Sequence, residues 1–212
     1  MKIRDIMTTN VVTVEEKTLI NEARKIMEAH RIRRLPVMRK DKLVGLVTNH
    51  MLLEASPSSA TSLSMHELYY LLAKMTVKEI MVKNPYTIFP DMPAEEALQL
   101  GQEKGYGAFL VMEDDRLVGV VTESDIVRVM TKILGVREGG RRLSIRASND
   151  FGNMKKIMEI FDTYKAVLLS LMTLPPMEGE KDWLIVLRLK AEEIGPIVKE
   201  LTSSGFNVTY VG

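Results

Sequence analysis

The chain has 212 residues with 29 Lys and Arg against 28 Asp and Glu, and a net charge of +1 argues against a general binder of polyanions such as nucleic acid. Hydrophobic residues at 46% and charged residues at 27% describe an ordinary globular protein; no stretch has the apolar length of a membrane span or export signal, so a cytoplasmic protein is expected. Zero cysteines exclude disulfides and cysteine nucleophiles, and His30, His50 and His66 lack metal-ligand spacing, so no metal is expected.

In chain order, a short apolar run over Val11 to Val14 precedes a helix whose apolar face holds Ala23, Ile26 and Met27. A hairpin follows, with strands Leu35 to Met38 and Leu43 to Val47 around the turn Lys40-Asp41, and Thr48 then caps a second helix. The stretch 56–62 is a loop by composition. It leads into a helix opened by Ser64 with Glu67 and striped by Leu68, Leu71, Leu72 and Met75, which reads as an edge cover or a subunit contact.

The same order then returns. Tyr86 to Phe89 is the apolar run, Ala97 and Leu100 mark the helix face, and Phe109 to Met112 and Leu117 to Val121 flank the turn Asp114-Asp115. Thr122 caps the last helix. Residues 3–53 align with 77–127 at one fixed offset of 74 without a gap, and fourteen of fifty-one positions are identical. Each copy, read β-α-β-β-α, is too short to hide much apolar surface alone, so the two are expected to pack as one pseudo-symmetric module with a cleft at their junction. Met27, Met75, Met130 and Met158 lie among apolar residues at helical spacing and read as core filling.

The glycine-rich stretch 135–140 marks a boundary. Beyond it come a strand at Leu143 to Ala147, a helix at Asn153 to Tyr164, strands at Ala166 to Thr173 and Trp183 to Leu189, a helix at about Glu192 to Ser204, and a strand at Phe206 to Val211. Gly205 stands where a helix end favours a left-handed residue. The order β-α-β-β-α-β is the split β-α-β arrangement. The expected fold class is therefore mixed α/β of the α+β kind. Segments are expected at 1–56 and 77–132 for the copies, 57–76 for the insertion, 133–140 for a linker and 141–212 for the last unit.

Three constellations carry chemistry. In Gly119-Val120-Val121-Thr122-Glu123-Ser124-Asp125, a hydroxyl and a carboxylate three residues on meet at a helix N-terminus, which suits a ribose phosphate. A plain cap with Asp125 as acidic partner explains the same spacing, and the first copy has Met51 in the place of Asp125. The segment Arg31 to Lys42 carries six basic residues and one acid, against one basic residue and three acids in Gly105 to Arg116; arginine forks match phosphate oxygens, though a solvated face explains the charge as well. Asn149-Asp150-Phe151-Gly152 joins a strand to a helix and could hold a small carboxylate or be an ordinary turn. Walker loops, nucleophile elbows and paired His and carboxylate motifs are absent from the sequence.

Carried by Asp5-Ile6-Met7, Leu35-Pro36-Val37 and Leu117-Val118-Gly119-Val120-Val121-Thr122 with Asp125, residues 1–132 resemble a tandem pair of CBS domains, a Bateman module. The last unit resembles an ACT domain, although Asn149 and Phe151 replace the Asp and Pro of that family's first loop and only Gly152 remains. The whole order is similar to the acetoin-utilization protein B group of regulators.

The resemblance implies an adenosine-containing ligand, AMP, ADP, ATP or S-adenosylmethionine, and a homodimeric, non-catalytic regulator. A nucleotide-processing enzyme and a DNA-linked transcription regulator are the alternatives. It further implies a first cleft of Met7, Asn10, Val12, Ile32, Arg33, Arg34, Val120, Thr122, Ser124 and Asp125. There Asp125 would hold the ribose hydroxyls, Val12 and Ile32 the base, and Arg33 or Arg34 the phosphates. A second, weaker cleft would use Leu46, Thr48, His50, Tyr86, Tyr106, Gly107 and Ala108, and the last unit could use Asn149, Asp150 and Gly152.

Overall fold

Each copy is built around an antiparallel hairpin with the same pairing register, Arg34 opposite Thr48 in the first and Ala108 opposite Thr122 in the second. The computed structural model describes residues 1–55 and 74–212, so the helix expected from Ser64 to Met75 lies outside the described residues up to residue 73. The described chain forms two compact units, residues 1–126 and 127–212.

In the first unit, a 3-10 turn at Ile3–Asp5 precedes β1 (Val14–Glu15), α1 (Ile20–His30), β2 (Arg34–Arg39), β3 (Lys42–Thr48) and α2 (Asn49–Glu54). The second copy supplies α3 (Val77–Ile80), β4 (Val82–Lys83), β5 (Thr87–Ile88), α4 (Ala94–Lys104), β6 (Ala108–Glu113), β7 (Arg116–Thr122) and α5 (Glu123–Ile133). The sheets run β1-β2-β3-β4 and β5-β6-β7, with β1 and β5 parallel to their neighbours. Asp114 and Asp115 both take positive φ, as a two-residue hairpin turn requires. The apolar runs at 11–14 and 86–89 yield shorter strands than expected. Upstream of β1, Thr8 exchanges two backbone hydrogen bonds with Val120, 2.9 and 3.0 Å.

That bridge belongs to a reciprocal exchange. Ile3 and Arg4 donate backbone N–H groups to Met92 and Pro90, and their counterparts Val77 and Lys78 donate to Thr18 and Glu16. Ala94 donates to Met1 as Ile20 does to Met75. Likewise Val82 pairs with Leu46 as Thr8 pairs with Val120. The opening segment of each copy is thus laid on the body of the other. The cores follow from the helix and strand periods: Ala23, Met27, Leu35, Val37, Val47 and Leu52 are buried in the first copy, and Ala97, Phe109, Val111, Val121 and Ile126 in the second. Ile26 and Leu100, read as buried, are only half-buried.

The second unit contains β8 (Arg141–Ala147), α6 (Phe151–Thr163), β9 (Val167–Leu174), β10 (Trp183–Lys190), α7 (Gly195–Ser203) and β11 (Asn207–Val211). Its antiparallel sheet has the order β11-β8-β10-β9, the split β-α-β order. Alternate residues Leu143, Ile145, Ile185, Leu187 and Leu189 meet Ile157, Phe161, Ile197 and Leu201, so both helices pack on one face. Two helix starts differ from expectation. Helix α6 begins at Phe151, two residues early, because the Asp150 side chain caps it, and α7 begins at Gly195 with a proline in its first turn. Gly205 has φ 90°, the left-handed geometry expected of it. Ahead of β8, the Arg188 guanidinium donates to the carbonyls of Gly139 and Gly140, and the Ser170 hydroxyl donates to that of Leu134.

Candidate functional site

A cavity of about 670 Å³ opens in the first unit where the exchanged segment at 8–12 passes between the basic segment of the first copy and the start of α5. Its lining includes Asn10, Val12, Ile32, Arg33, Arg34, Val120, Thr122, Ser124 and Asp125, nine of the ten residues expected in the first cleft. The tenth, Met7, packs beside it instead, with its Sδ 2.5 Å from where a Cβ on Gly119 would stand.

Thr8, Val11, Arg31, Pro36, Gly107 and Glu123 also line the cavity. Arg31 ends α1 in the left-handed conformation, φ 54° and ψ 39°, where the second copy uses Gly105 at φ 71°. A non-glycine residue held there is strained by about 1 to 3 kcal/mol, and such strain collects at functional sites. Gly107, expected in the second cleft, lines this one, and a Cβ on it would come within 3.0 Å of the Arg34 guanidinium. Three arginines therefore share the cavity lining with the acidic Glu123 and Asp125. Such a lining suits a molecule that carries both anionic and hydroxyl groups.

At the start of α5, one carboxylate oxygen of Asp125 accepts from the Thr122 backbone N–H at 3.0 Å and from its hydroxyl at 2.7 Å. The Thr122 hydroxyl in turn accepts from the Asp125 N–H at 3.2 Å. This is a reciprocal capping box, so Asp125 is a helix cap whatever else it binds. The box fixes the half-buried carboxylate at the cavity wall. Thr122 spends its own proton on Asp125 and meets any ligand as an acceptor.

The counterpart in the first copy is simpler. Thr48 accepts from the Met51 N–H at 3.3 Å, no carboxylate stands at position 51, and His50 is engaged with Glu54 at 3.2 Å. Leu46 is paired with Val82 and Ala108 with Thr122. Tyr86 and Tyr106 lie against each other with ring centroids 5.5 Å apart. A further cavity of about 740 Å³ in this unit, lined by Thr9, Glu15, Lys40, Asp41 and Arg116 among others, includes none of the residues expected in the second cleft.

In the last unit the Asp150 carboxylate accepts from the Asn153 N–H and side-chain amide, both at 2.9 Å, and from the Ser148 hydroxyl. These bonds, the Ser148 one foremost, hold its pKa below the usual carboxylate range. A Cβ on Gly152 would come 3.1 Å from an Asp150 oxygen. The start of α6 is thus already occupied by the protein's own anion, as an ordinary capping turn requires. Asn149 is exposed on that turn. Among the described residues no cluster of His, Cys, Asp and Glu could hold a metal ion, and no helix is long and apolar enough to cross a membrane.

Comparison with known proteins matches the CBS domain family to residues 3–58 and 77–132, more than half of the chain. A homoserine O-acetyltransferase of Methanohalobium evestigatum is 35% identical over 130 residues, which are 60% of this chain and 24% of that protein. The chain thus spans about a quarter of that curated relative. Among solved structures, the CBS domain pair of protein MJ0100 in complex with 5′-methylthioadenosine and S-adenosyl-L-methionine is 28% identical with a TM-score of 0.52, over 62% of this chain and 97% of that one. A Vibrio cholerae protein named for acetoin utilization is 29% identical with a TM-score of 0.54, over 65% and 96%. The Arabidopsis thaliana protein CBSX2 in complex with AMP is 25% identical with a TM-score of 0.52, over 62% and 97%.

Proposed function

The chain belongs to the CBS domain family, and from that premise we propose that it is a non-catalytic regulatory protein whose first cleft binds an adenosine-containing ligand: AMP, ADP, ATP or S-adenosylmethionine. The observation that carries the reading is the cavity itself, where arginines from one copy and the Thr122-Asp125 cap of the other share one lining. Its volume lies within the range of about 300 to 1,000 Å³ usual for small-molecule sites. Two of the solved relatives are complexes with adenosine compounds, which supports the ligand class. In this reading Asp125 takes the ribose hydroxyls, Val12 and Ile32 flank the base, and Arg33 and Arg34 meet the phosphates.

The protein works as a cytoplasmic homodimer, with the unit after residue 140 as an ACT-like assembly element rather than an amino-acid receptor, since Asp150 fills its own helix start. The ligand acts by differential affinity for two arrangements of the assembly, typically about 1 to 3 kcal/mol of coupling. The test is extraction of the purified protein under mild conditions, with mass spectrometry of the released small molecule, followed by calorimetric titration with AMP, ATP and S-adenosylmethionine. Binding of none of the three, with no adenosine compound released, refutes the reading.

A further inference from the structure

Val12 and Ile32, which line the open cavity, have Tyr86 and Tyr106 as their counterparts at the offset of 74. The planes of these two rings are 32° from parallel at 5.5 Å, and the Phe109 ring stands edge-on to both, 6.2 Å from each. A flat base held between two side chains needs about 7 Å between them, twice the carbon contact distance. Rings already in contact leave no such slot. Phe109 is 2% exposed whereas Tyr86 and Tyr106 are 46% and 42% exposed, so the tyrosines rest on a buried ring at the surface and are not core filling.

We propose that Tyr86 and Tyr106 occupy the second cleft with their own rings, so that the chain takes a single nucleotide, in the first cleft; this rests on the nucleotide reading of that cleft. The aromatic pair does the excluding, and the lack of a carboxylate at Met51 is a separate deficit. Restoring the carboxylate alone therefore does not open the cleft.

The test is calorimetric titration of the full chain with AMP. The parent and Met51→Asp are expected to take one equivalent per chain. Met51→Asp combined with Tyr86→Val and Tyr106→Ile, which installs the first copy's own residues, is expected to take two. A parent or a Met51→Asp variant that takes two, or a triple variant that takes one, overturns the proposal. A second arm needs no ligand: urea unfolding of Tyr86→Val, Tyr106→Ile and the double variant. Ring contact predicts that the double variant loses less than the sum of the single losses. Additive losses overturn the stack even if the parent binds no AMP, a result that would itself count only against the nucleotide reading.

Discussion

Met7 lies over Gly119 in the same way that its counterpart Met81 lies over Gly45, each side chain filling the space that a Cβ on the glycine would need. The glycines on β3 and β7 are therefore close-approach positions, required by a methionine of the other copy. Glycine weakens a strand interior, and here close approach of the exchanged segment offsets that cost. The relation ties the cleft to the exchange, because Met7 leads directly into Thr8, Asn10 and Val12.

Gly119→Ala is accordingly expected to destabilise by about 1 to 3 kcal/mol, as overpacking usually does. It should also weaken ligand binding in the first cleft by shifting segment 8–12. Gly45→Ala should cost similar stability with a smaller effect on that affinity, since it disturbs Met81. Urea unfolding alongside calorimetry checks both, and equal losses of affinity in the two variants would contradict this account.

The two roles proposed for Asp125, cap and ligand contact, separate two substitutions that would otherwise look alike. Asp125→Asn keeps an oxygen for the Thr122 N–H but removes the charge; Asp125→Ala removes both. A micromolar ligand corresponds to about −8 kcal/mol, and loss of charged hydrogen bonds to the ribose should remove about 2 to 4 kcal/mol of it in either variant. Only Asp125→Ala should also lose about 0.5 to 2 kcal/mol of stability with the cap. If both bind AMP, ATP and S-adenosylmethionine as the parent does, and the parent binds one of them, Asp125 is a cap and nothing more.

Arg31 should show a trade between stability and binding. Arg31→Gly relieves the left-handed strain and should raise stability by about 0.5 to 1 kcal/mol, while removing one cation from the cavity wall. ATP affinity should fall more than adenosine affinity. A variant that is both less stable and unchanged in its discrimination would place Arg31 outside the site.

A pH dependence follows from Asp91, which accepts from Arg4 at 2.8 Å and Lys2 at 3.0 Å, both from the exchanged segment. These bonds, the one from Arg4 first, hold its pKa below the ordinary carboxylate value. A depressed carboxylate contributes stability above its unfolded pKa of about 3.9 and loses that contribution as pH falls through the folded value. Asp91→Asn should thus melt a little below the parent at pH 6 to 8, with only a small difference expected from so exposed a group. The gap should close as pH drops below about 4. A gap that widens in acid would reverse the sign.

Much of this was legible in sequence for a physical reason: hairpin turns, capping threonines and alternating strands are local signals, and the 74-residue offset doubled each of them. Asp125, Thr122 and the arginine run could be nominated because their chemistry is written in adjacent residues. Thr8 could not, since nothing near it signals that it will pair with Val120. Arg31 sat within the basic run, yet its place in the cavity depends on a left-handed turn that only its counterpart Gly105 hinted at. The contact between the Tyr86 and Tyr106 rings was equally out of reach, because sequence gives ring chemistry but not the distance between rings.

The exchanged ends at 1–8 and 75–83 mean that the unit which was duplicated and the unit which packs are different things. A half chain cut to the length of one repeat would carry a docking segment with no body to receive it and a body with no segment to cover it. Such a half is self-complementary by construction, so two of them would satisfy each other across a true two-fold axis. The pseudo-symmetry of the intact chain is then that dimer written on one polypeptide, in which equivalent positions need not match: one copy carries an arginine-lined opening, the other two tyrosines.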